Sequence, residues 1–330
     1  MRRLADEAGL WKMVAIDQRT PLFGPIAARR GVAEPPFDDV ARVKQLLARH
    51  LAPAASAVLM DPIYAYGRAI AEVPSHKGLV LAYEHSVTED TPQGRKSSPV
   101  PGWSVGQIRR IGGDAVKVLV WHRADAAPEI VAHQEAFVRA AGEACRQEDC
   151  TFLLEVLIYP LPGENPRAVE ARREALVLDS IRRFADPSFG VDIFKLEPPG
   201  AVHDVPDPDG PDAAGLQAAY DRMAAMLQRP WVMLSAGAGM DDFERSLRYA
   251  FRAGSSGFLA GRAIWAEAFG RFPDYAAMEA ALASGSRANL ERLNALADRH
   301  GTPWHRHPTF GGTPEVDVVE GDFPQNYLAA

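Results

Sequence analysis

Cysteine is nearly absent. Cys145 and Cys150 are the two in 330 residues, and their spacing fits neither a disulfide framework nor a metal knuckle, so a reducing compartment is expected. Long apolar runs are missing as well. Nothing approaches the ~20 residues needed to cross a bilayer. Arg2 and Arg3 are followed by Asp6 and Glu7 rather than by an apolar stretch, which reads against a signal peptide and for a cytoplasmic protein. Basic charge is in deficit, with 36 Lys and Arg against 43 Asp and Glu and a net charge of -7. That excludes nucleic acid as a bulk partner but leaves room for a small anionic substrate held by a few local cations. The histidines are scattered, and the one close pair, His305 and His307, lies in an irregular stretch. With no His/Glu constellation at strand ends, neither a catalytic metal nor another cofactor is expected. A glycine-rich phosphate turn is missing too: the first apolar run leads into Asp17-Gln18-Arg19-Thr20, which argues against a doubly wound nucleotide-binding sheet.

What is present is ordinary globular composition, 47% hydrophobic and 24% charged, enough for a full core. Short β-branched and apolar runs recur at 13–17, 57–61, 78–84, 115–120, 152–156, 192–197, 231–237 and 257–262. Amphipathic segments separate them. Val40, Val43, Leu47 and Leu51 form one helical stripe, and Ile130, Phe137, Ala141 and Cys145 another. Val169, Leu176, Ile181 and Phe184 form a third, opened by Pro166, while Phe243, Leu247 and Phe251 form a fourth, closed by Gly254. Eight strands alternating with helices predict an α/β fold, a (β/α)₈ TIM barrel over 1–300. Residues 203–211, rich in Pro and Asp, read as a surface loop. Residues 301–330 read as an extended C-terminal tail, packed on the barrel or partly disordered.

Polar residues fall where these runs end: Asp17, Asp61, Glu84, Lys117, Glu155, Lys195 and Arg262. In a barrel, that face carries the chemistry. Strand parity sorts them. Ile193, Lys195 and Glu197 share one face, with Phe194 and Leu196 on the other, so Lys195 points into the mouth. The same parity turns Lys117 inward with Ala115 and Leu119, and Glu155 with Leu153. Two lysines and two carboxylates in one mouth are costly unless they pair or work. A lysine amine attacks a carbonyl only after losing its proton, which burial and a neighbouring cation both favour. Lys117 is placed to be that cation for Lys195, Glu155 to move protons, and Asp17 to orient Lys117 or to meet a substrate hydroxyl. Asp61, ahead of Pro62, and Glu84 read first as structural. Small residues and one arginine end the last two runs, at Ser235, Gly237, Gly261 and Arg262, the usual barrel position for a bound phosphate. Trp121, Trp231 and Trp265 read as packing residues.

The motifs Ala15-Ile-Asp-Gln-Arg19, Ser56-Ala-Val-Leu-Met-Asp-Pro62, Leu79-Val-Leu-Ala-Tyr-Glu84, Gly113-Asp-Ala-Val-Lys117, Phe152-Leu-Leu-Glu155, Asp192-Ile-Phe-Lys195, Leu234-Ser-Ala-Gly237 and Gly261-Arg-Ala-Ile-Trp265 occur in this order at barrel spacing. In that combination the chain resembles the tagatose 1,6-bisphosphate aldolase family of class I (Schiff-base) aldolases. The resemblance implies cleavage of a phosphorylated ketose to dihydroxyacetone phosphate and an aldehyde. It implies Lys195 as the imine-forming lysine, Glu155 as the acid/base, Asp17 and Lys117 as polar partners, and Gln18 beside Asp17. Ser235, Gly237, Gly261 and Arg262 match the phosphate-holding loops, and a homo-oligomer is implied by analogy. Segments 117–123, 231–235 and 257–265 are closer to the related aldolases of 6-deoxy-6-sulfofructose 1-phosphate, which makes that sugar the first rival. A metabolite-sensing paralogue without turnover is a rival of another class, weighed against by the presence of Lys195, Glu155 and Lys117.

Overall fold

Apolar runs that lack alternation need cover on both faces, and a closed parallel barrel ringed by helices supplies it. In the computed structural model, which describes residues 1–310, eight parallel strands close on one another. They are β1 Trp11–Ala15, β2 Ala57–Met60, β3 Gly78–Ala82, β4 Ala115–Trp121, β5 Thr151–Leu157, β6 Ile193–Leu196, β7 Trp231–Met233 and β8 Gly257–Ala260. The seam joins β8 to β1, with Gly257 opposite Trp11 and Ala260 opposite Val14. The TIM-barrel expectation holds. Every expected run contains a strand; Asp17, Asp61, Glu84 and Arg262 lie just beyond the hydrogen-bonded stretch, and Lys117, Glu155 and Lys195 lie within it.

The barrel interior is filled from below. Trp11, Met13, Ala57, Leu59, Val80, Ala115, Leu153, Ile193, Val232 and Leu259 form one buried cluster, closed underneath by Leu4 and Trp304. Ala115, Leu153 and Ile193 each lie two residues below Lys117, Glu155 and Lys195, so strand parity lifts all three charged side chains above this apolar plug. The second cluster lies between strands and helices and takes in Val14, Val58, Leu154, Phe194 and the helix stripes. Helix Phe37–Leu51 buries Val40, Val43, Leu47 and Leu51, and helix Met240–Arg252 buries Phe243, Leu247 and Phe251, as their spacing requires.

The stripe from Val169 to Phe184 departs from expectation. It belongs to two helices, Pro166–Ala171 and Arg173–Phe184, separated at Arg172, whose φ of -103° and ψ of 6° leave the helical region. Leu176 lies seven positions after Val169, so the apolar spacing stays in phase across the break and hides it. The 203–211 segment is indeed a loop, clamped to helix Met240–Arg252 by Arg245 on the Val205 carbonyl and by Arg248 and Arg252 on Asp209. After helix Arg287–His300 the chain crosses the barrel bottom, where Trp304 stacks on Trp11 with ring centroids 6.3 Å apart. The rest of the expected tail, 311–330, lies outside the described residues. Among the described residues no helix is long and apolar enough to cross a membrane.

Candidate active site

Above the plug, β4, β5 and β6 bring their inward side chains together. Register places Glu155 directly opposite Lys195, and the Lys195 Nζ donates to Glu155 Oε2 at 2.9 Å. The same carboxylate oxygen meets Lys117 Nζ at 2.8 Å. Lys117 in turn donates to Asp17 Oδ2 at 2.9 Å and to Glu84 Oε1 at 3.0 Å. Lys117 therefore reaches Lys195 through Glu155, and three carboxylates share its charge. Arg19 completes the ring, donating to the Glu84 carboxylate at 3.0 Å and to the Glu84 carbonyl at 2.9 Å. Three carboxylates, Asp17, Glu84 and Glu155, are matched by three cations, Arg19, Lys117 and Lys195, all of them buried.

Burial alone would neutralise such groups. It opposes the Lys117 ammonium, but Asp17, Glu155 and Glu84 outweigh it and raise the Lys117 pKa. Burial likewise opposes the Asp17 carboxylate, and Lys117, Lys195 and Arg19 overcome it, holding Asp17 well below the usual range. Glu155 is lowered in the same way by its two lysines. Glu197 runs the other way: burial raises it despite the Arg173 guanidinium that grips it.

Glu84, read first from sequence as structural, belongs to this cluster. So does Arg19, which sequence reasoning left without a role. Strand parity pointed to both, since Val80, Ala82 and Glu84 alternate inward, as do Met13, Ala15, Asp17 and Arg19. Asp61 fits the structural reading. It caps the turn after β2 by accepting the Ile63 and Tyr64 N–H groups, and it takes Lys44 Nζ at 2.6 Å with neither side chain exposed. Lys44 also donates to the Ile16 carbonyl at 2.7 Å, next to Asp17. A lysine inside the apolar stripe of its helix was the available signal.

The loops after β7 and β8 form a cup. Ala236 and Gly237 adopt φ of 49° and 89°, so their backbone turns in the left-handed sense beside Ser235. A Cβ on Gly237 would come within 3.5 Å of the Arg262 guanidinium. At Gly261, an added Cβ would lie 2.6 Å from the Ala15 carbonyl and 2.7 Å from Gln18 Nε2, so only glycine fits there. Among the described residues the Arg262 side chain makes no hydrogen bond, and the buried Gln18 Oε1 has no partner. Both groups are open to a ligand: the Arg262 guanidinium is exposed to solvent, and Gln18 presents a buried acceptor beside it. Ser235, Gly261, Arg262, Gln18, Glu155 and Lys195 line one cavity of about 670 Å³, and a second of about 470 Å³ opens from the same floor toward Arg19 and Arg95. All nine residues anticipated at the site are thus gathered at one end of the barrel. Trp231 and Trp265 are fully buried packing residues, as expected. Trp121 instead lines both cavities. Among the described residues no group of three or more metal-ligating side chains converges.

Residues 12–267 match the model of the DeoC/LacD family aldolases. The chain is 32% identical over 320 residues to tagatose 1,6-diphosphate aldolase 2 of Enterococcus faecalis, covering 92% of this chain and 94% of that one. It is also 32% identical to tagatose 1,6-diphosphate aldolase of Listeria monocytogenes, covering 97% and 96%. Among solved structures, the fold is shared with a fructose-bisphosphate aldolase of Plasmodium falciparum (TM-score 0.64, 12% identity, 91% and 93% covered). An archaeal fructose-1,6-bisphosphate aldolase, solved with its catalytic lysine bound to the carbinolamine intermediate, is similar as well (TM-score 0.56, 13% identity, 89% and 96% covered). The chain therefore belongs to the DeoC/LacD aldolase family, and it is a lyase.

Proposed function

We propose that this aldolase works through a Schiff base on Lys195 and cleaves a ketose 1-phosphate or 1,6-bisphosphate of the tagatose type. The observation that carries the reading is the 2.9 Å contact between Lys195 Nζ and Glu155 Oε2, set in the floor of a cavity whose wall is the Ser235 and Arg262 cup. The amine adds to the C2 ketone, and the carbinolamine loses water with Glu155 supplying the proton. The iminium then accepts the electron pair of the C3–C4 bond, the C4 hydroxyl gives up its proton, and the aldehyde leaves. The enamine takes a proton at C3, and water releases dihydroxyacetone phosphate. Glu155 serves these transfers because its one oxygen faces both lysines, while Lys117, held by Asp17 and Glu84, fixes where that oxygen sits. Ser235, Gly237, Gly261, Arg262 and Gln18 hold the C1 phosphate through backbone N–H groups and one guanidinium. The names of the relatives at 32% identity support tagatose 1,6-bisphosphate as the sugar.

The test is borohydride reduction with dihydroxyacetone phosphate, followed by peptide mapping. An adduct on Lys195 is expected. An adduct elsewhere, or none, refutes the mechanism. Cleavage rates on tagatose 1,6-bisphosphate, fructose 1,6-bisphosphate and 6-deoxy-6-sulfofructose 1-phosphate then decide the substrate, and a preference for the sulfonate would replace the tagatose assignment. No cleavage of any of the three, with phosphate still bound, would favour the sensing rival.

A further inference from the structure

Lys195 stands where two arms of the cavity meet. One arm runs to the cup after β7 and β8, which the reading above gives to the C1 phosphate. The other runs under a small antiparallel hairpin, Glu89–Thr91 with Gly94–Lys96, carried by the loop after β3. A substrate with its carbonyl carbon on Lys195 and its C1 end in the cup must extend its remaining carbons into this second arm. The cations there are mostly committed: Arg19 to Glu84 by carboxylate and carbonyl, Lys117 to three carboxylates. Arg95 is not. Its sole carboxylate among the described residues is the exposed Asp90, at 3.5 Å.

Arg95 is nonetheless held in place. Its guanidinium lies over the rings of Trp121 and Tyr159, 4.9 and 5.0 Å from their centroids. Its backbone N–H donates to the Tyr159 hydroxyl at 3.0 Å. The neighbouring Gly94, at a φ of 142°, passes so close that a Cβ would lie 2.6 Å from that hydroxyl. Below it, the buried Ser97 N–H donates to Gln134 at 2.9 Å. Alternation along the strand turns Arg95 to the cavity, between Gly94 and Lys96. The two rings stand at 81° to each other, so the guanidinium sits in their corner, and the N–H donors turned away from both rings stay free for a tetrahedral oxyanion.

We propose that Arg95 is the specificity-determining residue of the distal arm, binding the anionic group at the far end of the sugar. The inference rests on the Lys195 reading for its orientation of the substrate. Its test uses ligands that cannot form an imine: hexitol 1-phosphate, hexitol 1,6-bisphosphate and the corresponding 6-sulfonate of hexitol 1-phosphate, each titrated calorimetrically into wild type, Arg95→Met and Arg95→Lys. Wild type is expected to bind one or both doubly anionic ligands at least about tenfold more tightly than hexitol 1-phosphate, the range for a hydrogen bond to a charged group. Which of the two gains more tells phosphate from sulfonate. Arg95→Met should erase the gain and Arg95→Lys restore part of it. Equal weakening of all three ligands by Arg95→Met would make the residue a structural wall and overturn the proposal. So would a wild type that does not distinguish them. Because these ligands lack a carbonyl, a failure of borohydride trapping would count against the imine and leave this result standing.

Discussion

Replacing Lys117 with Met tests whether the strand-end charges act as one matched set. The side chain is 1% exposed and contacts Asp17, Glu84 and Glu155 at 2.9, 3.0 and 2.8 Å. Methionine fills a similar volume without charge and leaves three carboxylates against Arg19 and Lys195. Removing one partner of a buried pair costs about 3–5 kcal/mol, and the remaining imbalance is relieved if one carboxylate takes up a proton. In wild type, Asp17 and Glu155 have lowered pKa values. Their stabilisation is present above the unfolded carboxylate values and lost only as the pH falls through the lower folded ones. The raised Lys117 pKa gives stabilisation that is complete below the unfolded lysine value. Asp17, Glu155 and Lys117 therefore add no pH dependence between about pH 5 and 9. In the variant the folded protein binds a proton that the unfolded chain has lost. Stability must then fall as pH rises, by up to about 1.4 kcal/mol per pH unit for one proton. Urea unfolding at pH values from about 5.5 to 8.5, inside that window, should show a deficit that widens with pH. Adding Glu84→Gln restores two carboxylates against two cations and should flatten the curve. Parallel wild-type and variant curves would refute the matched-set account.

Two further outcomes follow. Glu155→Gln keeps the shape but neither accepts nor gives a proton. Turnover should drop about 10²–10⁴-fold, the usual weight of a positioned acid/base, with the borohydride adduct still on Lys195 but forming more slowly, and turnover within tenfold of wild type would remove Glu155 from the chemistry. His122 is buried on Phe184 with Nδ1 3.1 Å from the Ser180 hydroxyl, and burial lowers its pKa to about 4. A buried histidine that must stay neutral binds fewer protons folded than unfolded. Its contribution is complete above the unfolded value of about 6.5 and drains away as pH falls toward the folded one. His122→Leu should flatten the acid limb of stability against pH over that window, and an unchanged limb would assign the loss to other groups.

Period-two alternation made the chemical centre legible in the sequence. Once β4, β5 and β6 were located, Ala115, Leu153 and Ile193 had to face the plug and Lys117, Glu155 and Lys195 the mouth. The same alternation, carried two residues beyond β3 and four beyond β1, leads to Glu84 and Arg19, whose place in the ring is hidden because each sits past the end of its strand. Gly237, Gly261 and Arg262 were legible for a different reason: backbone proximity demands glycine, and the demand is visible as small residues at two successive strand ends. Arg95, Arg173 and Lys44 were not legible in this way. Arg95 stands in a three-residue strand with no periodicity of its own. Arg173 meets Glu197 from the first position of the helix that follows the break at Arg172, and Lys44 contacts Asp61 from a helix whose stripe marks it merely as misplaced.

This division between legible and hidden residues is also a physical division of labour. Lys117, Glu155 and Lys195 occupy adjacent strands in fixed register. A one-residue slip of any of these strands would turn its charged residue outward and bring an apolar neighbour into the mouth. The groups assigned to bond cleavage are thus the groups whose mutual charges hold the barrel top together, and a change in one disturbs stability and chemistry at once. Arg95 carries no such burden. Its hairpin rests on Tyr159 and Gln134, outside the ring of matched charges, so a change there should alter the grip on the far end of the sugar and leave the ring intact. On the reading proposed above, strand register sets how the bond breaks, and a hairpin that the register does not touch sets the grip on the far end of the sugar.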